Sequence, residues 1–516
     1  MSLRNNGRLS RRELMKALSM CAAGSSTLGP LLTGCRESLE TPASLEQRGG
    51  ARRARLDGKP RFLIVVGAAG GASIIDSFLA VRASEAGAEA ARLNTFAEAQ
   101  VQGVPDSPFR AVRVRSLRLG SIPLPVVTDQ LPFVTKHKDS MLVATTVGTS
   151  VNHVIAQKRS LTGNAAWRGR TLQECVALQY GAGFPIPNVN MGTGGYAERG
   201  TDGSLPEHCY GEVVTNASLW PLGLDGSKGL KDVPSADVLA RARETRNALD
   251  AQSVFGQTFE NAPALRRWND QRIVGQPALE VQDLINRLSV LPDAPPRMPL
   301  SEYGLSGSPD GARLRAAFPD YFTDPVEGQA ALAFLLIKHR VSVTVTLGPS
   351  FNVAVGGASV IANPPLAFDF SHNDHRTGQA FMWARVLGVI DRLVELLKSE
   401  PFDAASGESL WDRTLIYVAT DFGRTRSRAA NATEFGTGHD LNNGVLLLSP
   451  MLRGNTVLGG VDPLTTLTHG FDPRTGAPLP GKLESNEPDI FSGILTAMGV
   501  DTSGSGLPDA SAFIRA

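Results

Sequence analysis

Cysteine is nearly absent from this chain. Of the four in 516 residues, two fall in the N-terminal segment, at Cys21 and Cys35. Only Cys175 and Cys209 remain beyond it, so covalent bracing is limited to one disulfide, and the sequence leaves open whether these two are bridged or stay buried thiols. Net charge is also lacking, at +1. With no sustained Lys/Arg stripe, that excludes the electrostatic footprint of a nucleic-acid binder. Beyond the first 35 residues no apolar run approaches the ~20 residues of a membrane span. Histidine numbers eight, so the places where it collects are informative.

What is present begins with an address. Ser10-Arg11-Arg12-Glu13-Leu14-Met15-Lys16 has the twin-arginine pattern, an apolar run follows, and Leu32-Thr33-Gly34-Cys35 has the form of a lipoprotein cleavage box. The order basic, apolar, small-residue box, cysteine is what a signal peptidase needs; the competing reading of Leu14 to Leu32 is a short buried helix. The expectation is that residues 1–35 are a signal carried by the twin-arginine translocase, with Cys35 lipidated and the membrane reached only through that lipid. That route carries folded proteins and permits a cofactor to be inserted before export. Residues 36–60 are polar, Arg-rich and without hydrophobic period, as in a flexible tether. The expected location is periplasmic or cell-surface. Arg36 is not the Asp that retains some lipoproteins in an inner membrane, which by that likeness favours the outer membrane.

Order is expected from Arg61. Phe62 to Val66 is a continuous β-rich apolar run ending in Gly67-Ala68-Ala69-Gly70-Gly71, as in a strand buried on both faces that feeds a Gly-rich turn. Met141 to Val147, Val341 to Leu347 and Leu415 to Thr420 repeat the pattern. Helical periods lie between them at Val154 to Leu161, Gly328 to His339 and Gly378 to Ser399. Such alternation predicts a three-layer α/β fold, a mainly parallel sheet with helices on both faces, whose function collects beyond the carboxyl ends of the strands. Within 61–516, the stretch at about 184–307 is rich in Gly, Pro, Asn and Asp, and reads either as a cap shaping access to the sheet edge or as a loose insertion.

Chemistry concentrates in three loops. Phe368-Asp369-Phe370-Ser371-His372-Asn373-Asp374-His375 packs carboxylates and imidazoles together, Asp421 ends a strand, and His439-Asp440 follows Gly436-Thr437-Gly438. Imidazole and carboxylate suit a divalent ion: zinc, or with more oxygen donors manganese or calcium. Taken singly, each His is equally a surface or hydrogen-bonded residue. Arg424, Arg426 and Arg428 beside Asp421 could grip a sulfate or phosphate bidentately, or form a solvated loop.

Thr420-Asp421-Phe422-Gly423-Arg424-Thr425 and Gly436-Thr437-Gly438-His439, with Asp369 to His372, Asn152 to Gln157 and Trp167 to Arg170, resemble the domain-of-unknown-function 1501 family, a twin-arginine-exported, sulfatase-like branch of the alkaline phosphatase superfamily. The likeness runs from about Arg61 to the C-terminus, with 184–307 unmatched, and implies an alkaline phosphatase-like fold. By that pattern Asp369 and His372 bind a metal, Asp421 is an acidic ligand and His439 the last imidazole ligand. Phe422 stands where active sulfatases carry a second imidazole, and Gly70 where the Gly-rich turn carries an Asp, which puts a two-metal site in doubt. Counting back from Leu161-Thr162-Gly163 to the sulfatase nucleophile lands on His153, a candidate ligand, base or anion donor. Ser150 and Thr149 lie just upstream at the strand-to-helix turn; Ser150 is either an activated hydroxyl or a helix N-cap.

Two functions follow as expectations. One is a metal-dependent hydrolase of sulfate or phosphate esters, with His153 or Ser150 catalytic and Arg424 and Arg426 holding the anion. The other is a non-catalytic descendant that binds an anionic glycan or a cell-envelope partner.

Overall fold

The computed structural model describes residues 58–515, apart from 116–117, 120–121, 124–126, 164–165, 192–198, 225–228, 349–353, 356–360, 363–367 and 482–486. The expected export signal, Cys35 and most of the expected tether lie outside the described residues. The chain divides into two compact units. One comprises residues 221–287 and 292–308 and is largely helical, including Ala236–Gln252, a helix with no buried residue. The other holds the sheet.

That sheet has eight strands: β1 (Phe62–Gly67), β2 (Met141–Val147), β3 (Asn188–Met191), β4 (Glu212–Val213), β5 (Thr344–Leu347), β6 (Thr414–Ala419), β7 (Asn442–Leu448) and β8 (Thr456–Leu458), in the order β8-β2-β7-β6-β1-β5-β3-β4. All neighbours run parallel except at β7, which is antiparallel to both β6 and β2. The class expected from the sequence is therefore present, with one reversed strand.

β1, β6 and β7 are buried at every position. Successive strand side chains point to opposite faces, so both faces of the sheet centre are covered, which is why these segments are continuous apolar runs with no alternation. The helices that matter here are α1 (His153–Ser160), α2 (Leu172–Tyr180), α3 (Pro325–Lys338), α4 (His375–Ser399) and α5 (Glu487–Ala497). α2 packs on β1, β3 and β5, α5 packs on β2, and α3 packs on β5 and α4.

Their starts are written locally. The Asn152 side chain accepts from the Val154 N–H (3.1 Å), Asp374 accepts from the Thr377 N–H (3.1 Å), and Thr171 with Glu174 forms a capping box. Each cap fixes where its helix begins, and two of them stand next to a histidine. Cys175 and Cys209 are free and buried; loss of hydration pushes their thiols up to about 12 and about 11.

Candidate functional site

The turn after β1 carries Gly70 and Gly71, both with positive φ (89° and 82°). Their N–H groups donate to Asp421 Oδ1 at 3.0 and 2.9 Å, and the Phe422 N–H adds a third bond at 3.2 Å. A Cβ on Gly70 would stand 2.5 Å from the Asp369 amide nitrogen. The space that a side chain there would need is filled by the Asp369 backbone, so glycine is required on two grounds.

Asp421 is fully buried just beyond β6. With Oδ1 occupied by amides, its Oδ2 faces His153 Nδ1 at 2.7 Å. A carboxylate only accepts, so Nδ1 carries a proton, and in the neutral ring Nε2 is left with the lone pair. His439 repeats the arrangement, its Nδ1 donating to the Val151 carbonyl at 2.9 Å and its Nε2 turned inward. Inward, His439 Nε2 lies 3.0 Å from His372 Nε2, and His153 Nε2 lies 3.7 Å from Asp369 Oδ2. One donor atom each from His153, Asp369 and His439 falls within 4.8 Å of the others.

The hydrogen bond that His153 donates to Asp421 raises the imidazole above its ordinary range, against an opposing effect of burial. Burial, then the charges of Arg424 and His439, push His372 below it. Phe422 is fully buried and stacks on His439 with ring centroids 3.9 Å apart. It fixes the ring plane that its backbone neighbour Asp421 does not touch.

Arg424 lies beneath this group with its side chain wholly buried. It donates to the carbonyls of Gly70 (3.0 Å), Thr437 (3.3 Å) and Phe368 (3.4 Å), and to Asp369 Oδ1 at 2.6 Å. Asp369 thus gives one oxygen to the guanidinium and turns the other toward His153. A second buried network stands behind it: Asp76 Oδ2 accepts from Asn94 Nδ2 and faces His375 Nε2, both at 2.9 Å, while His375 Nδ1 lies 2.9 Å from the Thr437 hydroxyl. The Thr437 N–H donates to the Ser371 carbonyl at 2.9 Å, so the loop bearing His439 is tied to the turn bearing Asp369 and His372.

The structure therefore brings Asp369, His372, His439 and His153 together. Asp421, expected as a metal ligand, gives its Oδ1 to the Gly70, Gly71 and Phe422 amides and meets the group through the His153 bond at its Oδ2. His153, a candidate ligand, base or anion donor by sequence, presents its Nε2 among the donors. Arg424, expected to grip an outside anion, has its donors committed to the protein. Arg426 donates to the Thr465 carbonyl at 2.5 Å. Ser150 is two residues upstream of the cap, and its hydroxyl accepts the Asn152 N–H at 3.0 Å. The pairing of Asp76 with His375 was not read from the sequence; a histidine directly after the helix-capping Asp374 was the available signal.

The three donors fit a divalent cation such as zinc: neutral nitrogens and a carboxylate, with imidazole N–H groups held outward by oxygen acceptors. No protein-family model matches the chain, and no curated protein does. Among solved structures it aligns with crystal structures of Ps i-CgsB, alone (9% identity) and in complex with k-i-k-neocarrahexaose (10%), each at a TM-score of 0.30, covering 88% of this chain and 75% of theirs. A likeness of that depth carries no functional argument.

Proposed function

We propose that the protein is an exported, lipid-anchored hydrolase of sulfate or phosphate esters, of alkaline phosphatase-like fold and akin to the domain-of-unknown-function 1501 family, that works with one divalent ion held by His153, Asp369 and His439, with His372 beside them. The observation that carries this reading is the pair of fixed tautomers: Asp421 and the Val151 carbonyl both claim an Nδ1 proton, which leaves two Nε2 lone pairs converging on a carboxylate. A buried structural histidine has no need of this arrangement. When bound, such an ion supplies Lewis acidity toward an ester oxygen. The chain's own residues hold its ligands: Asp421 orients His153, Phe422 and Val151 orient His439, and Arg424 orients Asp369. Export on the twin-arginine route agrees with a site loaded before translocation.

The binding-protein reading draws on one observation, that the Ser150 hydroxyl is engaged by the Asn152 N–H and the neighbouring Thr149 hydroxyl by the Glu487 carboxylate. Elemental analysis of protein purified from its native host, beside turnover of arylsulfates and aryl phosphates, decides between them. One divalent ion per chain with hydrolysis of either class is the expected result, and His439→Ala should lose both. Neither ion nor hydrolysis, with added divalent metal present, would leave the binding reading.

A further inference from the structure

Large apolar side chains left in water cost about 1.5 to 3 kcal/mol each relative to burial, and scattered ones are ordinary, but a concentration of them marks a contact surface. In the sheet unit ten such side chains are exposed among the described residues. Six of them, Val151, Val154, Ile155, Leu441, Leu464 and Leu467, at 39% to 59% exposure, lie on the segments that carry or adjoin His153 and His439.

Backbone bonds stitch these segments together. The Val151 carbonyl accepts from His439, the Leu441 carbonyl accepts the Gly148 N–H at 2.8 Å, and the Thr466 carbonyl accepts from Asn442 Nδ2 at 3.1 Å. On α1, Ala156 and Ser160 turn inward, while Val154 and Ile155, immediately after His153, face out. All six are aliphatic. The rim offers dispersion and desolvation to a hydrocarbon, at the border of a polar centre.

Resting on the hydrolase reading above, we propose that the substrate is an ester whose non-ionic part is apolar, an alkyl or aryl sulfate or phosphate, with the hydrocarbon lying on this rim and the anion at the His153, Asp369 and His439 group. The occupant is a substrate group because the segments that bear the rim are bonded to those that carry His153 and His439, with Val154 adjoining His153 in the chain.

The test is kcat/KM over a series of n-alkyl sulfates and n-alkyl phosphates from methyl to octyl, with full-length metal-loaded protein. The expected rise is between about two- and fourfold per methylene, the upper figure being full removal of each CH2 from water. Val154→Ser with Ile155→Ser, both exposed and so compatible with folding, should flatten the series and lower the octyl-to-methyl ratio. Hydrolysis by the wild type with a flat series, or a rise that survives the double variant, overturns this inference and leaves the hydrolase reading standing. No hydrolysis of any member, with arylsulfates or aryl phosphates still turned over, overturns this inference alone; no hydrolysis of the aryl esters either removes both. A flat series accompanied by vesicle binding that the double variant abolishes would reassign the rim to a membrane surface.

Discussion

His153 Nδ1 and Asp421 Oδ2 stand 2.7 Å apart although 268 residues separate them in the chain. That one bond decides which face of the imidazole carries a lone pair. Asp421→Asn keeps an acceptor for the Gly70 and Gly71 amides but presents NH2 to His153, which favours the opposite tautomer and puts a proton on Nε2. Metal affinity should fall by about 10- to 100-fold with the melting temperature little changed. Isothermal titration of the metal-free protein with zinc checks this; unchanged affinity would remove the tautomer from the argument.

Arg424 is a buried cation whose loss is felt as orphaned acceptors. Arg424→Met leaves the Gly70, Thr437 and Phe368 carbonyls short of a donor and Asp369 unpaired. At roughly 1 to 3 kcal/mol per unsatisfied buried group, stability should drop by on the order of 3 kcal/mol. Guanidinium unfolding should show a lower midpoint at an unchanged slope, and Arg424→Lys should recover part of it.

Asp76 ties stability to acid pH. Burial by itself would raise its carboxyl; the His375 charge and hydrogen bond, then Arg376, hold it below the usual carboxylate range. A folded value below the unfolded one gives stabilisation that is present above about 3.8 and is lost as pH falls through the depressed value. The stability difference between wild type and Asp76→Asn should therefore be largest near neutrality and shrink below about pH 3.8. A constant difference from pH 6 to pH 2, read by denaturant titration, would contradict it.

Cys175 and Cys209 are buried thiols with raised pKa values, so the thiolate that alkylating reagents need is scarce at neutral pH. Iodoacetamide should leave the native protein unmodified and add two groups once guanidinium unfolds it, without prior reduction. Intact mass spectrometry reads the result, and a requirement for reductant would show a disulfide instead.

The central strands were legible because burial on both faces writes an unbroken apolar run: Met141 to Val147 has the expected limits, and β1 and β6 fall within a residue of theirs at either end. The loops that bring Asp369, His372 and His439 together were legible as clusters of donors. Who bonds whom was not. Asp421 reads as a ligand until the Gly70 and Gly71 amides are seen to claim one of its oxygens, and Arg424 reads as a free cation until three carbonyls and Asp369 enclose it. Both facts depend on the β1 turn lying against the β6 exit, a contact between residues some 350 positions apart that no local pattern records.

The reversed strand has a mechanical consequence. β7 begins at Asn442, three residues after His439, and Asn442 is paired with Val147, the last residue of β2, six residues before His153. Run parallel to its neighbours, β7 would deliver His439 to the opposite rim of the sheet; reversed, it hangs both imidazoles from the same end of one hydrogen-bonded ladder. The spacing of the two rings is thus metered by strand register. A slip of one residue would carry His439 about 3.4 Å along the strand and turn its neighbours to the other face, more than the gap between its ring nitrogen and that of His372. Insertions between Val147 and His153, or between His439 and Asn442, should accordingly be tolerated far less than insertions of equal length at the far ends of the same two strands.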